Sequence, residues 1–286
     1  MLTVVTFCWQ GWRPVYTPQH VANLRNMFRK HLTIPHRFVC VTDRPEDIGA
    51  LDGVEAFPIW PSPVRDERIE LFDCYLRLRL FDDWAKCIGE RLLQIDLDVT
   101  IRGNIDDLIT DDPIKVARLN SRGWIQGGMW LCTPGSCPEL WAACHNDELV
   151  QAARIDKERI GRRVPGSDQS LMNYILPKDT PCWTEEDGIW INDFRKPWRI
   201  LFRTGNRKPW DKVPERRIYM RESKFLPDDA DGVEAKAMAA LEALDTAICR
   251  IAEIPIRSTS IAKRQRYRKR LAELEEIRAA LERAWL

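Results

Sequence analysis

The sequence predicts an α/β fold with a mixed, mostly parallel sheet flanked by helices, because β-branched apolar runs alternate with segments of helical period. Three observations carry that expectation. A β-α-β unit opens the chain between Val4 and Val41, a hydrophobic run from Arg91 to Ile95 ends on Asp96-Leu97-Asp98, and the α/β alternation stops near Trp210. A length of 286 residues suits one large domain with an appendage.

Val4-Val5-Thr6-Phe7-Cys8-Trp9 is a short β-branched and aromatic strand, closed by a polar turn around Gly11. Thr17-Pro18 then suits an N-cap followed by proline at the first helical position, and Val21, Leu24, Phe28 and Leu32 recur at near-helical spacing. Arg37 to Val41 reads as a second buried strand whose carboxyl end carries Thr42-Asp43, where ligands of open α/β sheets bind. A third strand is expected at Val54 to Ile59. The spacing of Leu71, Tyr75, Leu78 and Phe81 predicts an amphipathic helix over Glu70 to Phe81. Val99-Thr100-Ile101 resumes apolar character after the carboxylate pair. Gly127 to Cys132 is a strand opened by glycines, Leu140 to Cys144 begins a helix, and Ser170 to Ile175 is a short helix. Trp183 to Trp210 reads as irregular, aromatic and basic. From Gly232, Ala237, Leu241, Leu244, Ile248 and Ile251 form one apolar stripe, Pro255 breaks it, and a second helix is expected from Ile261 to Trp285. The expected division is therefore a domain over 1–212, a linker over 213–231 and a C-terminal helical hairpin over 232–286.

A formal charge of +1, from 44 basic and 43 acidic residues, argues against binding to nucleic acid or anionic membrane by bulk electrostatics. With 44% hydrophobic and 30% charged residues the chain is globular in character. The 9 cysteines are scattered without CxxC pairs, which predicts reduced thiols of a cytoplasmic protein and no zinc site of that type. No window approaches the roughly 20 apolar residues that span a bilayer. The 4 histidines show no metal-ligand or triad-like grouping and read as structural.

The feature richest in chemistry is Asp96-Leu97-Asp98. Residues i and i+2 of a strand share a side, and two carboxylates there make a hard-oxygen site for Mg²⁺ or Mn²⁺, with a diphosphate as the natural client. The other reading is a pair of strand-end acids capping a turn. Asp168, which precedes the helix at Ser170, likewise reads either as a reactive carboxylate or as an N-cap.

Several pieces together resemble the family 8 and related GT-A glycosyltransferases, the group of glycogenin and the lipopolysaccharide galactosyltransferases. These are Thr6-Phe7 with Thr42-Asp43, Leu92 to Val99 around the DxD, Gly103-Asn104-Ile105-Asp106-Asp107-Leu108, Gly127 to Leu131, Gly166 to Asn173, and Gly205-Asn206-Arg207-Lys208-Pro209-Trp210. The resemblance covers residues 3 to about 212 and implies a Rossmann-like GT-A fold. It implies transfer of a hexose or pentose from a nucleotide-sugar donor, UDP-linked, to an acceptor hydroxyl. Donor contacts are implied for Thr6, Phe7, Asp43, Asp96, Leu97, Asp98, Gly127, Gly128, Gly205 and Lys208, a divalent metal on Asp96 and Asp98, and catalytic roles for Asp168, Gln169 and Lys208. Arg77 and Arg79 read either as a further cationic contact to the donor or as a solvated helix face. A histidine that completes the metal shell in that family has no counterpart here, where Phe202-Arg203-Thr204 precede the motif.

Charge is unevenly spread. Pro255 to Leu286 holds nine basic and four acidic residues, a net of +5, so the rest of the chain sums to −4. Lys263, Arg264, Arg266, Arg268, Lys269 and Arg270 could contact nucleic-acid phosphates, or form a solvated face beside an apolar dimer seam. The acceptor is thus open between a saccharide, a lipid-linked sugar and a modified DNA base. A GT-A-like binding protein without turnover is the remaining alternative, and the intact Asp96, Asp98, Asp168 and Lys208 weigh against it.

Overall fold

A computed structural model describes residues 1–9, 16–59, 73–119, 123–155, 168–193, 196–203, 208–210 and 215–223, together with 269–270, 272–274 and 276–277. Its centre is a seven-stranded sheet built from β1 (Leu2–Cys8), β2 (His36–Thr42), β3 (Glu55–Pro58), β4 (Arg91–Ile95), β6 (Ile114–Arg118), β7 (Ile125–Cys132) and β8 (Cys182–Trp183). The spatial order is β3-β2-β1-β4-β7-β6-β8. Strands β3, β2, β1 and β4 pair in parallel, β7 is antiparallel to both its neighbours, and β8 pairs parallel to β6. A second sheet of three short strands has the order β5-β10-β9, with β5 at Val99–Ile101, β9 at Ile189–Ile191 and β10 at Ile200–Phe202.

The first crossover forms as its residues dictate. All seven residues of β1 are buried, as a central parallel strand covered on both faces requires. Thr17 precedes α1 (Pro18–His31), and its N–H donates to His20 Nδ1 at 2.9 Å. Along β1, alternate side chains serve two cores. Val4 and Cys8 join Leu24, Phe28 and Phe38 on the α1 face, while Val5 and Phe7 join Tyr75, Leu78 and Phe81 on the other. That second face is covered by α3 (Pro138–Ala143), α4 (Asp147–Ile155) and α5 (Asp168–Ile175). A short helix, α2 (Pro45–Gly49), links β2 to β3.

Three expectations change. The segment expected as an amphipathic helix from Glu70 is a 3₁₀ helix over Asp73–Phe81, residues 70–72 lying outside the described ones. Tyr75, Leu76, Leu78, Leu80 and Phe81 are all buried, so no single apolar stripe exists for a 3.6-residue period to fit. The stretch from Trp183 to Trp210 contains β9 and β10, three residues each, whose pairing with β5 and with one another is set by tertiary contact. Within the expected linker, Glu215–Ser223 forms a helix, α6, packed on α1. Of the expected C-terminal hairpin, 269–270, 272–274 and 276–277 are helical, and Arg270 pairs with Glu273 at 3.2 Å. Lys263, Arg264, Arg266 and Arg268 lie outside the described residues.

The tie between α6 and α1 is polar and buried. Glu222, 3% exposed, meets Lys30 Nζ at 2.9 Å and His31 Nε2 at 2.8 Å. The Gly103 N–H donates to His31 Nδ1, which leaves Nε2 as the donor to Glu222. Although burial works against it, hydrogen bonds from His31 and Lys30 hold the Glu222 carboxyl down to about 2. Asn26 also donates to the Ser223 carbonyl at 2.7 Å. None of the cysteines among the described residues forms a disulfide, and no helix among them is long and apolar enough to cross a membrane.

Candidate active site

The site gathers at the carboxyl ends of β1, β2 and β4, where a parallel sheet leaves its strand ends open to ligands. After Ile95 the chain leaves the large sheet: Asp96 still donates its N–H to the Gly128 carbonyl at 2.9 Å, and Val99 begins β5 of the small sheet. Asp96-Leu97-Asp98 is therefore a bend between two sheets rather than a continuous strand. Leu97 is buried at 2% exposure and anchors it, while both carboxylates turn toward basic side chains.

Arg77 is the inner cation. Only 9% exposed, it binds Asp96 through one terminal nitrogen and Asp168 through the other. Its guanidinium also lies 5.5 Å from the Trp130 ring centre. Burial opposes its charge, and Asp168 and Asp96 outweigh that cost, so it stays cationic. Gln94 Nε2 adds a second donor to Asp96 Oδ1 at 3.0 Å.

Asp168 is the first residue of α5 rather than the residue before it, and its Oδ1 accepts the Gln169 N–H at 2.9 Å. At 1% exposure its carboxyl is pushed up to about 6 by burial, with the Arg77 charge pulling the other way. Asn173 of the same helix exchanges hydrogen bonds with the Ile125 backbone, fixing α5 on β7.

Lys208 is the outer cation. Its Nζ lies 2.6 Å from Asp98 Oδ2 and 3.1 Å from the Tyr16 phenol oxygen. Asp98 is raised by burial and by Asp96, and lowered by Lys208. Three carboxylates, Asp96, Asp98 and Asp168, thus meet two cations, Arg77 and Lys208.

The glycines explain how the walls come so close. A Cβ on Gly127 would stand 2.6 Å from Gln169 Cγ and 3.1 Å from Asp168 Oδ1. On Gly128, the next residue and the opposite face, it would stand 2.9 Å from the Phe202 ring and 3.4 Å from Asp96 Oδ2.

Other expected site residues fall elsewhere. Thr6 and Phe7 are buried in the sheet beneath the site, and Asp43 stands at the end of β2 beside Arg44 at 3.8 Å. Arg79 is not brought to the carboxylates. One residue short of a full 3₁₀ turn from Arg77, its guanidinium lies 4.1 Å from the Trp84 ring centre and 5.5 Å from that of Trp141. Gly205 lies outside the described residues. Arg203 gives its backbone N–H to the Asp98 carbonyl at 3.1 Å and its guanidinium to the Asn192 carbonyl at 3.0 Å. Tyr16 is the site residue that sequence reasoning missed; its contact with Lys208, 192 residues away, leaves no local signal.

Asp96 and Asp98 fit a hard divalent cation as a pair of oxygen ligands, and the cluster's excess of carboxylate over cation suits added positive charge. Among the described residues no group of three or more His, Cys, Asp or Glu side chains is placed to hold a metal ion.

This sheet order, with the carboxylate bend leading from the large sheet into a small one, is the GT-A fold. The chain is similar to solved structures of the galactosyltransferase LgtC. One, in complex with donor and acceptor sugar analogues, aligns at a TM-score of 0.50 and 13% identity, covering 79% of this chain and 98% of that one. An active-site mutant of LgtC aligns at 0.50 and 14% identity with the same coverage. No protein-family model and no curated protein matches the sequence.

Proposed function

We propose that the chain is a glycosyltransferase that moves a hexose or pentose from a nucleotide-sugar donor, UDP-linked, to an acceptor hydroxyl. The observation that carries this reading is the convergence of Asp96, Asp98, Asp168, Arg77 and Lys208 at the strand ends of a GT-A fold. The galactosyltransferase named in the similar structures, bound there to donor and acceptor sugar analogues, supports it.

Cleaving the bond between the anomeric carbon and the diphosphate sends an electron pair to the departing phosphate oxygen and leaves positive charge on the sugar. Lys208 supplies a cation for the departing group at the mouth of the site. Asp168, held in place by Arg77, presents an anion for the sugar carbon, and its buried setting makes that charge felt strongly. Arg77 keeps Asp96 and Asp168 apart and oriented. Asp96 and Asp98 would hold Mn²⁺ or Mg²⁺, which when bound supplies further positive charge for the diphosphate.

The test is incubation with a panel of nucleotide sugars and Mn²⁺, reading free nucleoside diphosphate. Release from at least one donor, reduced at least 100-fold in Asp98→Ala, is expected, a loss of the size seen when a charge-stabilising group is removed. No release with any donor, together with unchanged nucleotide binding by Asp98→Ala, refutes the reading.

A further inference from the structure

Tyr16 and Asp98 converge on the Lys208 ammonium. The Lys208 ammonium donates to Asp98 Oδ2 at 2.6 Å and to the Tyr16 oxygen at 3.1 Å. Since Lys208 can only donate, the Tyr16 oxygen accepts from it. Lys208 Nζ also lies 5.2 Å from the Tyr16 ring centre.

The ring that receives Lys208 is itself fixed. Tyr16 meets Trp210 edge-on at 6.1 Å and His20 at 6.2 Å, and His20 stacks on Trp210 at 4.0 Å. Trp210 also meets Tyr219 of α6 at 5.4 Å, and Asn23 of α1 donates to the Tyr219 hydroxyl at 3.3 Å. The beginning of α1 and the segment carrying Lys208, 192 residues apart, are thereby held as one wall.

A lysine carries a compact charge on a flexible stem, so a defined position for its ammonium needs a partner that stays. Asp98 is an ionic partner, and an anionic diphosphate competes with it for the same ammonium. Tyr16 is neutral and does not enter that competition.

We propose that Tyr16 is a positioning residue for Lys208, keeping the ammonium aimed at the donor diphosphate when Asp98 is engaged elsewhere. The proposal rests on the glycosyl-transfer reading above. Its test is a double-mutant cycle with Tyr16→Phe, which keeps the ring and its packing, and Lys208→Met. Nucleoside diphosphate release from the donor that the wild-type protein uses is measured in all four proteins. Tyr16→Phe is expected to lower kcat about tenfold, the effect of one hydrogen bond to a charged group, with donor KM within about twofold and an unchanged Tm. In the Lys208→Met background the same change is expected to cost less than about twofold, because its target is gone. Lys208→Arg, which restores a cation, is expected to bring back part of the dependence on Tyr16.

An equal loss from Tyr16→Phe in both backgrounds, a loss confined to KM, or no loss at all overturns the proposal while wild-type turnover stands. A wild-type protein that releases no nucleoside diphosphate overturns the transfer reading, and this proposal falls with it.

Discussion

Replacing Arg77 by Gln tests the electrostatic design of the site most directly. The guanidinium is 9% exposed and bound to both Asp96 and Asp168, and Asp168, 1% exposed, stands at about 6 with that charge in place. At pH 7 about nine-tenths of the Asp168 carboxyl is then ionised. An opposite charge at contact lowers a carboxyl by about 1–3 units, so Arg77→Gln releases Asp168 upward by about two. Two units correspond to about 2.7 kcal/mol between the protonation states. The ionised fraction at pH 7 then falls to about one-tenth, so the rate drops about tenfold and is regained toward pH 9. The assay is nucleoside diphosphate release from pH 5 to 9.5 for wild type, Arg77→Lys and Arg77→Gln, with Arg77→Lys falling between the other two. Folding follows the sign of a raised acid: protonated Asp168 is the comfortable form. It therefore costs stability as pH rises from about 4 to about 6, by about 3 kcal/mol in the wild-type protein. Superimposable rate profiles for wild type and Arg77→Gln, both rising below pH 7, would refute the role given to Arg77.

Three further outcomes follow from the same geometry. Gly127→Ala drives a methyl to 2.6 Å from Gln169 Cγ and should cut turnover at least tenfold, with about 1–3 kcal/mol lost in urea unfolding; wild-type kinetics would show that α5 yields instead. Glu222→Gln removes a carboxylate held at about 2, against 4.5 ordinarily. Its stabilisation of about 3 kcal/mol is present above pH 4.5 and lost as pH falls toward 2, so urea midpoints of variant and wild type should differ at pH 7 and converge near pH 2. Chelation by EDTA should lower nucleoside diphosphate release at least 100-fold and added Mn²⁺ should restore it; undiminished turnover in EDTA would remove the metal from Asp96 and Asp98.

The parallel half of the fold is legible because its central strands are largely buried and bounded by local signals. β1 and the Phe38–Val41 stretch of β2 read as β-branched and apolar runs, and Thr17-Pro18 marks the start of α1. The antiparallel half is harder. β6 reads Ile-Lys-Val-Ala-Arg, and its basic residues belong to tertiary contacts: Lys115 lies 5.6 Å from the Trp183 ring centre, and Arg118 reaches the carbonyls of Gly123 and Pro177. Strands as short as β9 and β10 have no room for a period. β10 takes its register from β5, about 100 residues earlier in the chain, through pairs such as Phe202 with Val99, and β9 takes its register from β10.

The site follows the same logic at the level of single residues. Asp96 and Asp98 are legible because a carboxylate at the end of a buried run has no local reason to be there, so its partner must come from elsewhere. That partner is where local reading stops. Arg77 and Arg79 are two residues apart in one segment, and nothing in their immediate sequence distinguishes the ligand of two carboxylates from the one that lies over Trp84 and Trp141. The choice is made by the 3₁₀ winding of Asp73–Phe81, whose three residues per turn align Cys74, Arg77 and Leu80 in one row; Arg79 falls outside it. Tyr16 is harder still, since its phenol has no local partner that calls for it until Lys208 arrives from 192 residues away. A residue's own chemistry can thus announce a need for compensation, but the fold assigns the compensator. In this cluster the acids are the announcement, and Arg77, Lys208 and Tyr16 are the assignment.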